Sequence, residues 1–291
     1  MPGKSKLDLP GDTIHKWIAR ALNMQTVKRL YAILLVSMLA VAGIAYAAES
    51  TLELNLGSAP YHIPRNALLF NPATRTIDVP NDVAYHRSMH YRALPLATLL
   101  GNLAPDASVQ FTATDGFVAN IPAKLLLAGG QPWLAIESDD TWPPLKADGP
   151  SAGPFYLVWL KPEQGGVSPE QWPYQIAKIS VVLPLESRYP QIVPKTASAA
   201  EQRGLHVYIA NCASCHSING GGDAAVGPDL NRPYSPTEYF QESFLRKLVR
   251  NPAAVRTWGQ RIMPGFSADV LSDAQLDDLL AYLQHMAKQR E

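Results

Sequence analysis

The 291 residues contain two cysteines, three positions apart in Cys212-Ala-Ser-Cys215-His216. Two thiols at that spacing can add across the two vinyl groups of one haem, and the imidazole of the next residue then comes under the iron. The pair could instead be a redox dithiol or half of a zinc site. A structural zinc needs two further ligands, and no second cysteine pair or spaced histidine pair lies nearby. A thioredoxin-like dithiol ends a strand of a βαβ unit, whereas Cys212 follows a helical pattern. The adjacent His216 and the lack of any other cysteine favour one covalent haem c, and they leave no framework of long-range disulfides.

The elements that must position these residues are helices. Ser198-Ala-Ala-Glu201 is a capping box, and Ser235-Pro236-Thr237-Glu238 repeats it with proline at the first helical position. The helix from Ser235 is expected to stop before Asn251-Pro252. Ser272-Asp-Ala-Gln275 starts a third helix, with Leu276, Leu279, Leu280 and Leu283 at i, i+3, i+4 and i+7. Three capped helices make a small all-α domain over 200–291 with a thin core, which a large apolar cofactor would complete.

Residues 198–290 resemble class I c-type cytochromes. Gly204 and Tyr208 are similar to the family's glycine and aromatic where the first helix crosses the last, and Tyr282 is similar to the aromatic that meets them. Gly227-Pro228-Asp-Leu230 resembles the Gly-Pro-x-Leu whose proline carbonyl accepts a hydrogen bond from the ligating histidine, here His216. Downstream only Met263 and Met286 are methionines. Met286 continues the leucine stripe and reads as core. Met263, in Arg261-Ile-Met-Pro-Gly-Phe266, resembles the distal loop, which implies a soft sixth ligand. His206 and His285 are the alternative ligands, and both fall in helices. The resemblance also brings Trp258, Arg261 and Arg232 toward the haem propionates, although a solvated surface charge is an equal reading for either arginine.

Residues 49–190 read as an α+β, mainly β domain. TLELNLG, RTIDVP, SVQFTATDGFVANIP, FYLVWL and KISVVLPL are β-branched or alternating runs between turn residues, with short helices expected at 94–100 and 123–127. Tyr91–Leu100, Phe111–Phe117 and Gly153–Leu157 resemble, in order, motifs of the sulfite-oxidase-like molybdopterin-binding fold. That family anchors molybdenum through a cysteine and this stretch has none, so molybdopterin is not expected and a docking role is. His62, His86 and His90 are expected to be structural or exposed rather than a metal site. A linker is expected over 191–199.

Nineteen uncharged residues, 30–48, follow Lys28-Arg29 and end near Ala45-Tyr46-Ala47, which makes 1–48 a cleaved signal peptide or a retained membrane anchor. Either reading puts the rest in the periplasm. Met24 is the expected true start. Lys and Arg against Asp and Glu number six to two in 1–48, nine to thirteen in 49–194 and ten to ten in 195–291, so nothing suggests a nucleic-acid surface.

The whole is a multidomain chain expected to be a periplasmic monohaem cytochrome. It would pass single electrons between a redox enzyme and a downstream cytochrome or oxidase, as a carrier rather than a stand-alone enzyme. The alternatives are the haem subunit of a molybdopterin-type oxidoreductase and a membrane-anchored assembly subunit. Replacing Cys212 and Cys215 together with alanine is expected to abolish covalent haem, read by haem staining after denaturing electrophoresis.

Overall fold

The computed structural model describes residues 49–138, 141–224, 226–255 and 263–290, so the segment expected to direct export lies outside the described residues. Among the described residues no helix is long and apolar enough to cross a membrane. Residues Ser50–Glu291 form one compact unit.

Nine strands build the first part: β1 Thr51–Asn55, β2 Tyr61–Pro64, β3 Arg75–Val79, β4 Met89–Pro95, β5 Ser108–Ala113, β6 Val118–Pro122, β7 Pro132–Ile136, β8 Phe155–Trp159 and β9 Ile176–Val182. One sheet runs β2-β1-β9-β5-β6 and the other β3-β4-β7-β8. Every pairing is antiparallel except β1 with β9. Alternation explains the facing: Leu52 and Leu54 of β1, and Val109 and Phe111 of β5, point into the core shared with Ile77, Tyr91 and Leu134 of the other sheet. All five residues of β8 are buried. Asp82, deep in this core, is satisfied by the Tyr91 hydroxyl at 2.8 Å and the Tyr85 N–H at 2.8 Å.

Five short helices interrupt or follow the strands: α1 Arg65–Leu69, α2 Leu96–Leu100, α3 Ala123–Leu126, α4 Pro162–Gly165 and α5 Leu185–Arg188. The second part holds α6 Ala199–Asn211, α7 Pro236–Tyr239, α8 Glu242–Arg250, α9 Pro252–Val255 and α10 Asp273–Ala287. All three capping boxes form, at Ser198, Ser235 and Ser272. The helix expected to run unbroken from Ser235 is divided, because Phe240 adopts an extended conformation (φ −102°, ψ 141°) and its ring packs between Tyr239 and Phe244. The leucine stripe of α10 is buried, and α6 crosses it at Gly204, where a Cβ would stand 2.1 Å from the Asp278 carbonyl oxygen. Only glycine permits that approach.

The segment expected as a linker is packed. Ile192 of this segment lies in the helical core, as does Leu185 of α5 before it. The Ile192 carbonyl accepts a bond from the Tyr282 hydroxyl at 2.7 Å, and the Lys195 carbonyl accepts from Gln289 Nε2 at 3.0 Å.

A second fastening joins the two parts. Asp223 accepts from Arg188 at 2.5 and 2.6 Å, from the Tyr189 hydroxyl at 2.9 Å and from Asn120 Nδ2 of β6 at 2.9 Å. Burial pushes the Asp223 carboxyl up, but the bonds from Arg188 and Tyr189 outweigh it and hold it below the usual carboxylate range. A depressed carboxyl stabilises the fold above its unfolded value of about 3.9, and that contribution disappears as pH falls through the lower folded value. Arg188→Leu strands a buried carboxylate and is expected to cost about 3 kcal/mol near neutral pH. Urea unfolding followed by tryptophan fluorescence checks it, with the deficit shrinking once Asp223 is protonated in acid.

Candidate haem site

Helix α6 delivers the cysteine motif. Its last turn does not unwind cleanly: the Cys212 and Ala213 N–H groups both donate to the Tyr208 carbonyl, at 2.8 and 2.9 Å. The chain then turns back on itself, with the Cys215 and His216 N–H groups donating to the Cys212 carbonyl at 3.0 and 2.8 Å. Two thiols and an imidazole are thereby held on one compact turn. The Tyr208 hydroxyl donates to the His216 carbonyl at 2.7 Å, and the Tyr208 ring packs 5.7 Å from that of Tyr282, so the motif is anchored to the crossing of α6 and α10.

The loop after the motif fixes the imidazole. Gly227 N–H donates to the Cys215 carbonyl at 2.7 Å, which brings Pro228 alongside, and His216 Nδ1 lies 2.7 Å from the Pro228 carbonyl oxygen. A carbonyl only accepts, so Nδ1 carries the proton and Nε2 keeps its lone pair. Burial lowers the His216 pKa, against the opposing pull of the Pro228 carbonyl, and favours the neutral ring that a metal requires. The ring lies so close to Gly227 that a Cβ there would stand 2.5 Å from Cε1 and 2.7 Å from Nδ1. Asp229 braces the loop by accepting from the Gly220 and Asn231 N–H groups, both at 2.7 Å, and from Ser217 Oγ at 3.0 Å.

Both thiols are free and partly buried. Burial first, and then the Glu170 carboxylate, push Cys212 up to about 12 and Cys215 up to about 11. A redox dithiol depends on an accessible thiolate and a depressed pKa, so this environment disfavours that reading. Two neutral thiols beside an imidazole with a free Nε2 match the donor set for a covalently attached haem.

The other expected residues divide. Met263 is partly buried, and the loop it opens is fixed to the end of α8: the Phe266 N–H donates to the Val249 carbonyl at 3.0 Å, and Arg250 Nη1 donates to the Phe266 carbonyl at 3.0 Å. Met286 is buried in the helical core, as its place in the stripe predicted. His285 has both ring nitrogens engaged, Nδ1 with Glu201 at 2.9 Å and Nε2 with the Lys195 carbonyl at 2.8 Å, and His206 is exposed. Trp258 and Arg261 lie outside the described residues, and Arg232 is exposed. In the β region His62, His86 and His90 are all exposed, and His90 Nδ1 meets Asp78 at 2.5 Å. Among the described residues no three His, Cys, Asp or Glu side chains are grouped as a metal site. Glu170, and Asp223 with Arg188, have no signal in the sequence, because residues this far apart in the chain carry no shared pattern.

A family model described as "Cytochrome c" matches residues 201–287, which span the motif, the Pro228 loop, Met263 and all of α10. This part of the chain is a cytochrome c domain, and such a domain implies covalently bound haem c and a general role in carrying electrons to and from redox proteins. Gly227→Ala is expected to force the His216 ring off Pro228 and to destabilise the domain by about 1–3 kcal/mol. Urea unfolding of Gly227→Ala beside Val226→Ala, whose side chain is exposed, measures the difference.

Proposed function

We propose that this chain is a periplasmic monohaem c-type cytochrome that passes single electrons between a redox enzyme and a downstream cytochrome or oxidase. The observation that carries it is the His216–Pro228 bond at 2.7 Å, one turn from two free thiols, inside a matched cytochrome c domain. In this reading Cys212 and Cys215 would hold the group through thioether bonds and His216 Nε2 would donate to its iron. Haem c supplies a one-electron Fe(III)/Fe(II) couple when bound.

The remaining residues keep that couple fixed in place. Pro228 sets the tautomer and direction of the imidazole and raises its basicity. Met263, at the head of the loop tied to Val249 and Arg250, is the proposed second residue that would hold the iron, and its thioether would favour the reduced state. The export reading of residues 30–48 supplies the periplasmic location. The β region, which lacks a cysteine over 49–190, is proposed as a docking module that presents the domain to its redox partner, without molybdopterin.

Met263→Ala is expected to leave haem attached, lower its reduction potential and admit carbon monoxide to the reduced protein. Spectroelectrochemistry and the carbon monoxide difference spectrum read both effects. Unchanged potential and no carbon monoxide binding would place the sixth ligand elsewhere.

A further inference from the structure

Between Met263 and the start of α10 the chain forms neither helix nor strand, and one side chain outside that stretch holds much of it. Arg250 ends α8 and is partly buried. Its Nη1 donates to the Phe266 carbonyl at 3.0 Å, to the Ser267 carbonyl at 3.2 Å and to the Leu271 carbonyl. Its Nη2 meets Asp273, the first residue of α10, at 2.6 Å. The backbone of the same residue is also engaged, since the loop passes so near that a Cβ on Gly265 would stand 2.7 Å from the Arg250 carbonyl oxygen. The Phe266 N–H donates to the adjacent Val249 carbonyl at 3.0 Å, and the Phe266 and Leu271 side chains are buried in the helical core. A loop without a hydrogen-bond ladder of its own must find partners for its carbonyls elsewhere. A guanidinium suits the task, because it fans several N–H donors from one plane and never loses its charge.

We propose that Arg250 is a positioning residue for Met263: its guanidinium locks the loop onto the end of α8, and so sets how firmly the Met263 thioether resists displacement by a competing ligand. This rests on the haem reading given above, with Met263 as the second residue that would hold the iron. A thioether is a neutral, soft donor that suits Fe(II) better than Fe(III). In the oxidised protein the loop, and not the sulfur alone, must therefore keep the ligand in place. A competing ligand binds only those molecules in which the loop has released the sulfur, and its apparent affinity reports that fraction. Hydrogen bonds from a charged donor contribute more than neutral ones, so losing those of Arg250 is expected to raise the released fraction about tenfold or more.

Arg246, one turn earlier on α8, separates this role from a general tie between helices. It pairs with Asp277 of α10 at 2.6 Å and with Glu242 at 2.8 Å, and among the described residues it makes no bond to the loop. Both arginines thus join α8 to α10, and only Arg250 reaches the loop carbonyls.

The test uses the full-length haem-loaded protein in its oxidised form, with imidazole as the competing ligand. Covalent haem is first confirmed by staining, and its absence from the parent overturns the haem reading together with this inference. Imidazole affinity is measured by optical titration for the parent, Arg250→Leu, Arg250→Lys and Arg246→Leu, and for Met263→Ala with and without Arg250→Leu. Arg250→Leu is expected to bind imidazole about tenfold or more tightly than the parent, with Arg250→Lys between them and Arg246→Leu matching the parent. In the Met263→Ala background no thioether remains to be displaced, so Arg250→Leu is expected to change nothing there. Parent-like affinity in Arg250→Leu, an equal gain in Arg246→Leu, or a gain that persists without Met263 overturns the proposal. If Met263→Ala alone leaves the affinity unchanged, the assignment of Met263 falls first and the proposal falls with it. Should Arg250→Leu fail to load haem, Arg250→Lys takes its place in both backgrounds. Tighter imidazole binding only where Met263 is present then supports the proposal, and no gain, or the same gain in both, refutes it.

Discussion

The hydrogen bond from the His216 ring to the Pro228 carbonyl is the constraint around which the helical domain is arranged. It requires Gly227 to have no side chain, because the ring occupies the space a Cβ would take. It requires the loop after the motif to return to its start, which the Cys215 carbonyl and the four bonds onto Asp229 secure. It also requires the motif itself not to move, and that is the task of Tyr208, wedged where α6 and α10 approach at Gly204. A partly buried imidazole, neutral by desolvation and fixed in its tautomer by one acceptor, leaves a single ring atom, Nε2, with a lone pair.

The β region bears on the same turn from outside. Asp223, in the loop that follows the motif, is held by Arg188 and Tyr189 on one side and by Asn120 on the other. A carboxylate that receives four such bonds is a rigid joint rather than a surface ion pair, since its partners satisfy the charge that burial would penalise. This joint ties the β region to the loop that follows the cysteines, so both parts of the chain hold that loop.

What the sequence made legible was local. Cys212, Cys215 and His216 share one turn because their spacing permits nothing wider, and the serine capping boxes announced three helix starts because Ser and Glu or Gln three apart satisfy each other's neighbouring N–H groups. Strands with clean alternation, such as β1 and β5, were also readable. Strands β2, β4 and β7 were not, since Tyr61–Pro64 is short and exposed, and the histidines and arginines around β4 mask its inward Met89 and Tyr91. The break at Phe240 escaped because the packing of its ring, not any helix-breaking residue, ends α7. Glu170 and Asp223 acquire their environments only when segments far apart in the chain meet, and no window on the sequence contains both sides.

The burial of Leu185 and Ile192 among the helices has a consequence for the chain as a piece of evolutionary carpentry. A domain exchanged between proteins must bring its whole core with it, or the recipient inherits a hole lined by Tyr282 and its neighbours. The portable piece thus begins at α5, well before the first residue that looks like a cytochrome, and any recombination that joined these two parts at the capping box of α6 would have needed the preceding segment to be refitted to its new neighbour.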